Sequence, residues 1–292
     1  MDRIAIGQAG NGRAIAVMCA GVLSLTMNDA MAKDLVTRFD PLQIVFLRNL
    51  VALPLIAAVL LRVAGPAGVR SARVGVHAMR AVLSVAASYL FIRSLGSLSL
   101  ATATSVIFLS PIFVALLSMP LLGQRVTPLR AGAVALGFLG ALIVLRPGAG
   151  ALGPGAGFAL AAAVVHALVM MSARWIDRAE GFWTMTFWMS LAPCLICSVS
   201  LAMPWPGFGW TDAALLAGMA VCGTLGIALI SQAFRMGDAS AVAPFDYTAL
   251  IWASALGWLI WGTVPGLPVY LGAAVIAASG TALILLDGRR TG

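Results

Sequence analysis

Apolar runs of about twenty residues, each closed by a glycine, a proline or a cluster of charges, follow one another along nearly the whole chain. They fall at 14–32, 41–64, 74–95, 98–119, 128–145, 154–173, 182–203, 211–233, 239–262 and 267–286. That length matches the ~20 residues an α-helix needs to cross a bilayer. The expected fold is therefore all-α integral membrane, with ten transmembrane helices. Connections between the runs are short, as antiparallel neighbouring helices require.

The second half of the pattern rewrites the first. Leu95-Gly96-Ser97-Leu98-Ser99-Leu100-Ala101 is echoed by Met236-Gly237-Asp238-Ala239-Ser240-Ala241-Val242, Gly132 and Gly140 by Gly272 and Gly280, and Ala32-Lys33 by Ala173-Arg174. The expected units are residues 14–146 (helices 1–5) and 154–286 (helices 6–10), joined by residues 147–153. Residues 1–13 and 287–292 form the terminal segments. Five spans are an odd number, so the second copy must be inverted relative to the first. Two inverted repeats about a pseudo-two-fold axis in the membrane plane are an architecture of secondary transporters working by alternating access. The Gly- and Pro-rich junction is no phosphate loop, since neither a preceding strand nor a Gly-Lys-Ser/Thr frames it.

Composition agrees: 61% of the residues are hydrophobic and 10% charged, with a mean hydropathy of +1.02. A soluble domain carries roughly 25% charged residues. The net charge of +8 forms no aromatic-interleaved stripe of the kind that binds nucleic acid. Instead the basic residues sit in loops. With both termini cytoplasmic, thirteen fall on or near the cytoplasmic side and only Lys33, Arg38, Arg93 and Arg146 opposite, as the positive-inside rule demands. The sole lysine and the Ala/Gly/Arg richness suit a GC-rich bacterial genome; the resemblance described below implies the inner membrane. Arg3, Arg13 and Ala30-Met31-Ala32 could frame a signal peptide, but cleavage would destroy the match to the second copy, so the segment is expected to be retained. Cys194 and Cys197 lie in apolar helix as a C-x-x-C without further ligands, which reads as packing. No metal, cofactor or catalytic residue is expected.

Ionisable groups within spans are the functional candidates. Asp29 and Arg48, at similar depth towards the outer face, suggest an ion pair, as do Arg80 and Asp246 towards the inner face. Either pair could lock helices or gate a path. Asn28, Ser105, Ser110 and the mid-span His166 could contact a substrate or bond to neighbouring carbonyls. Tyr89, Tyr247 and Trp252 could line a cavity or simply pack, while Trp258 and Trp261 read as interfacial anchors. Pro111 and Pro244 occupy corresponding spans, where each removes a backbone donor and can act as a hinge. The small-residue rows Ala133/Gly137/Ala141 and Ala273/Ala277/Thr281 permit close helix approach and mark helices 5 and 10 as scaffold. The path is expected along helices 1, 3, 4, 6, 8 and 9.

Tyr89-Leu-Phe-Ile-Arg-Ser-Leu-Gly96, Ala101-Thr-Ala, Leu109-Ser-Pro-Ile-Phe113, Leu122-Gly-Gln124 and Gly132 to Leu145 together resemble the EamA-type unit of the drug/metabolite transporter superfamily, repeated more loosely from Gln232 to Leu285. Gly123-Gln124 stands where the family commonly has Gly-Glu, and Ile251-Trp252 faces Ser110-Pro111 across the repeat. The resemblance implies a bacterial carrier, functional as a monomer, that exports amino acids (aromatic or other neutral ones) or related small metabolites. A lipophilic-cation exporter of the same superfamily is the rival and would want a central membrane carboxylate, for which Asp246 reads as too close to the cytoplasm. An integral-membrane enzyme is a further rival, but the chain shows no His-Glu-x-x-His or Gly-x-Ser-x-Gly.

Overall fold

The computed structural model describes residues 2–71, 73–122, 128–145, 153–172, 175 and 180–288. Gly123-Gln124, Arg125, Arg146, nearly all of the junction, Ala173-Arg174, Arg178, Arg289 and Arg290 lie outside the described residues. The fold is all helical: α1 (Asp2–Leu35), α2 (Pro41–Ala64), α3 (Val74–Leu95), α4 (Leu100–Ile107), α5 (Ser110–Leu122), α6 (Pro128–Leu145), α7 (Pro154–Ser172), α8 (Phe182–Cys197), α9 (Trp210–Met236), α10 (Ala239–Val242), α11 (Ala249–Trp261) and α12 (Leu267–Gly288). No strand occurs among the described residues. Seven helical stretches are long and apolar enough to cross a membrane: Gly12–Leu35, Pro41–Ala64, Val74–Leu95, Leu100–Ser118, Pro154–Ser172, Phe182–Ala202 and Trp210–Met236. Two shorter apolar stretches, Ala131–Leu145 and Leu267–Ala282, accompany them.

Two expected spans are interrupted, both beside a proline. The run 98–119 divides into α4 and α5, with Pro111 in the first turn of α5. Proline has no N–H for the carbonyl four residues back. That carbonyl belongs to Ile107, and the Ser110 hydroxyl donates to it at 2.6 Å instead. The run 239–262 divides into α10, a 3-10 helix over Ala243–Thr248 that contains Pro244, and α11. Elsewhere helix starts are written locally. Asp40 accepts from the Leu42 amide while the Gln43 side chain takes the Asp40 N–H, and Pro41 opens α2.

Four antiparallel helix pairs build the bundle: α1 with α9, α3 with α7, α2 with α8, and α6 with α12. Their direction shows in contacts whose residue numbers rise on one helix as they fall on the other. Gln43 donates to Pro204 O, whereas Thr184 donates to Gly68 O. On α6 and α12, Gly140 lies opposite Gly272, and the Ser279 hydroxyl donates to Ala133 O at 2.5 Å. Lipid supplies no hydrophobic drive between helices, so close backbone approach matters. A Cβ on Gly140 would stand 2.8 Å from Gly272 O, and one on Gly226 would stand 2.9 Å from Gly21 O. Only glycine allows these two contacts. Large apolar side chains meanwhile face outward, Leu259, Leu267 and Val264 among them, as a bilayer-exposed surface requires.

Candidate functional site

The antiparallel pairs enclose a two-lobed cavity in the middle of the bundle. The first lobe, about 440 Å³, takes its walls from α1, α2, α3, α4, α5, α7 and α8, with Asp246 and Ala249 from the interrupted run. The second, about 420 Å³, lies between α1, α2, α3, α8 and α9. Leu25, Asn28, Arg48, Ser84 and Met189 line both, so the lobes share a seam. Among the described residues, α6 and α12 contribute nothing to either wall. Helices 2 and 7 of the expected ten, observed as α2 and α8, do contribute, although the sequence reading left them off the path.

Of the residues singled out in the sequence, Asn28, Asp29, Arg48, Ser110, Pro111, His166 and Asp246 line the first lobe. Arg80 lines the second. Tyr89, Ser105, Tyr247, Trp252 and Pro244 line neither. Ser105 bonds inward to Ala101 O at 2.7 Å. Tyr247 packs its ring 4.8 Å from that of Phe108 and turns its hydroxyl to Gly280 of α12. Trp252 packs against the buried cluster of Ala14, Met18, Val22, Ala233, Val242 and Ala249. The expected ion pairs do not close: among the described residues no carboxylate comes within 4.0 Å of Arg48 or Arg80. Asp29 accepts from Asn28 at 3.0 Å, and Arg80 donates to Val169 O at 3.1 Å and Ser172 Oγ at 2.9 Å. Asp246 lies on the wall of the first lobe.

Several wall residues had not been singled out. Ser84 and Ser88 stand one turn apart on α3, beside Phe91, Thr104, Phe108, Met170 and Met189. A small-polar pair at spacing four in an apolar run was the available signal. Pro193 offers no N–H to the Met189 carbonyl, so the seam also carries a backbone acceptor released from the helix. Asn28 Oδ1 and Thr104 Oγ1 are buried without a hydrogen-bond partner among the described residues. Burying such atoms unpaired costs about 1–3 kcal/mol each. Both residues lie on the wall of the first lobe.

Each end of the bundle carries a polar latch that the sequence did not disclose. At the end formed by residues 66–71, 73–77, 172, 175 and 180–188, the lower end, Glu180 Oε2 lies 2.7 Å from His77 Nε2, and Ser71 Oγ donates to Glu180 Oε1 at 2.5 Å. His77 is fully buried and stacks on Trp188 at 5.7 Å, whose indole N–H donates to Val69 O. At the upper end, formed by residues 33–43, 95–98 and 200–212, Arg38 Nη1 pairs with Asp212 Oδ1 at 2.8 Å and Nη2 donates to Gly207 O. Asp212 Oδ2 simultaneously accepts the Gly209 N–H and caps α9. Lys33 caps α3 through Leu95 O and Leu98 O at 2.7 Å each, with Trp261 below its ammonium.

The segments that these latches join correspond to two family matches. Residues 12–146 and 153–286 each match the model of the EamA-like transporter family. The chain belongs to the EamA-like transporter family. This EamA-like protein is accordingly a multi-pass membrane transporter. It is 30% identical over 220 residues to a riboflavin transporter of Rhizobium johnstonii, covering 73% of this chain and 71% of that one. It is 26% identical over 259 residues to an S-adenosylmethionine uptake transporter of Rickettsia bellii, covering 87% of each. A solved crystal structure shares the fold with a TM-score of 0.65 at 20% identity, over 96% of this chain and 99% of the other.

Proposed function

We propose that this protein is a secondary transporter that moves an amino acid, or a small metabolite bearing an amino-acid group, across the bacterial inner membrane by alternating access. The observation that carries the reading is the mid-bundle cavity, walled by both family-matched segments and latched at both ends by bonds that cross from one segment to the other. Releasing one latch while keeping the other would open the cavity to one side. Ten spans in two inverted five-helix repeats fit this scheme. The second member of each repeat, α2 and α8, run antiparallel, as do the fifth members, α6 and α12, which is the relation inversion demands. The proposed orientation has both termini and the lower latch facing the cytoplasm, and the arginine distribution of the sequence supports it.

A cavity of this size is in the range of ~300–1,000 Å³ typical of drug-sized ligands. It therefore accommodates a metabolite larger than a free amino acid, and relatives named for riboflavin and S-adenosylmethionine point the same way. The proposed direction is export, the one implied by the family resemblance, while the Rickettsia relative is named for uptake. The test is counterflow in proteoliposomes followed in both directions, with labelled tryptophan, S-adenosylmethionine and riboflavin, with and without a pH gradient. Saturable exchange of tryptophan or S-adenosylmethionine supports the reading; exchange of riboflavin alone keeps a transporter but overturns the substrate, and exchange of none overturns both.

The rival, export of lipophilic cations, gains support from Asp29 and Asp246 on one lobe. Arg48 on the same wall opposes it, because a like charge in a low-dielectric cavity repels a lone cation strongly. Saturable transport of tetraphenylphosphonium, with no exchange of the three metabolites, would decide for the rival.

A further inference from the structure

We propose that the two lobes hold opposite ends of one charge-separated substrate, its cationic group in the first lobe and its carboxylate in the second. This rests on the transporter reading above and specifies how the substrate is oriented and which residues select it. The carboxylates of Asp29 and Asp246 belong to the first lobe alone. Arg80 belongs to the second alone, and Arg48 stands on the seam. None of the four has an oppositely charged partner within 4.0 Å among the described residues. Unpaired charges inside a membrane are costly and are retained where a substrate or ion path uses them.

Asn28, on the seam, donates its amide N–H to Asp29 and holds that carboxylate on the first-lobe wall. Two carboxylates on one lobe suit an ammonium. In the second lobe Arg80 keeps Nε without a hydrogen-bond partner among the described residues, while its Nη1 is held by Val169 O and Ser172 Oγ. The two guanidinium groups of Arg80 and Arg48 on this lobe suit a carboxylate, which accepts from arginine in fork geometry. Met189 on the seam offers an adaptable thioether surface for the apolar body between the two ends. A singly charged ligand compensates one lobe and leaves the other bare, and a neutral ligand compensates neither. The dipolar substrate alone satisfies both.

The test uses the full-length protein in proteoliposomes with five probes: labelled L-tryptophan, S-adenosylmethionine and riboflavin for counterflow, with tryptamine and indole-3-propionate as unlabelled competitors. Tryptophan or S-adenosylmethionine is expected to exchange saturably, and the two half-molecules to inhibit without being carried. The variants should cross over. Arg80→Gln should weaken inhibition by indole-3-propionate at least tenfold and leave tryptamine unchanged. Asp246→Asn and Asp29→Asn should do the reverse. Because each variant retains one inhibitor, the pattern controls for folding, and if one carboxylate variant fails to fold the other still reports. Exchange of riboflavin alone, or equal loss of both inhibitors in every variant, would overturn the orientation and leave the transporter reading intact. Exchange of none of the labelled probes would remove both.

Discussion

Replacing Gly140 with alanine tests the closest approach of backbones that do not touch the cavity. The new Cβ would stand 2.8 Å from Gly272 O, 2.8 Å from Ile276 Cγ1 and 3.1 Å from the Ile276 amide nitrogen. Two of these neighbours are helical backbone and cannot rotate away, so α6 and α12 must part by about 0.6 Å, and a gap of 0.5–1 Å already forfeits a quarter to a half of the dispersion well of each contact along the seam. Overpacking of this kind costs about 1–3 kcal/mol, offset by ~0.5–1 kcal/mol for exchanging glycine for alanine in a helix. The net loss is about 1–2 kcal/mol. Gly132, on the same helix, has nothing within 4 Å of its would-be Cβ, so Gly132→Ala should be neutral or stabilising by up to ~1 kcal/mol. At ~2–4 °C per kcal/mol, thermal unfolding in detergent should separate the two variants by about 2–12 °C. Half-saturation for the transported probe should match wild type in both, because neither residue reaches the cavity. The double variant Gly140→Ala/Gly272→Ala should cost less than the sum of its parts, since helices already parted are not parted again. A Gly140→Ala protein as stable as Gly132→Ala would refute the close-packed seam.

Three further outcomes follow from the latches and the break. In Glu180→Gln one oxygen keeps its shape but the bond to His77 or Ser71 weakens. At ~1.5–3 kcal/mol for a hydrogen bond to a charged group, the population open at the lower end should rise about tenfold or more. The readout is maleimide labelling of a cysteine placed at Met189 in a cysteine-free background, and an unchanged rate from that side would count against the latch. Arg38→Gln should raise labelling from the upper side by less than about fivefold, because the Arg38 side chain is 50% exposed and such pairs contribute ~0–1 kcal/mol. The difference from wild type should vanish in ~0.5 M salt, and persistence at high salt would contradict the assignment. Pro111→Ala supplies an N–H to the Ile107 carbonyl, so α4 and α5 should fuse and draw Ser110 and Phe108 off the wall. Turnover should fall about tenfold while the melting temperature holds or rises, and unaltered turnover would show that the break is dispensable.

What could be read from the chain was whatever depends on position along a helix. The apolar runs, the Asp40-Pro41 start of α2 and the interruptions beside Pro111 and Pro244 are local features, fixed by spacing and backbone chemistry. Position along a helix follows from its rise of 1.5 Å per residue. Rotation about the helix axis was not legible. Matching by depth paired Arg80 with Asp246 and Asp29 with Arg48. In the structure Arg80 turns to Val169 and Ser172 on α7, and Asp29 and Arg48 share a wall without touching. Azimuth is set by which helices pack together, and that depends on contacts such as Gly21 against Gly226, far from either charge. Glu180 and Asp212 escaped notice for a related reason: both lie at helix ends, where a carboxylate ordinarily reads as solvated, and their partners come from the other half of the chain.

The two latches differ in what release leaves behind. When Arg38 swings into solvent, Asp212 still holds the Gly209 N–H and the arginine is rehydrated, so the upper end opens in small, salt-tunable steps. When Glu180 lets go, a fully buried imidazole and its stacking partner must be uncovered together with Ser71, so the lower end opens all at once or not at all. The two ends would therefore release differently: ionic strength tunes the upper clasp, while the lower one resists it because its members are buried. Under the proposed alternating access, the tighter clasp sets the pace at which the carrier resets.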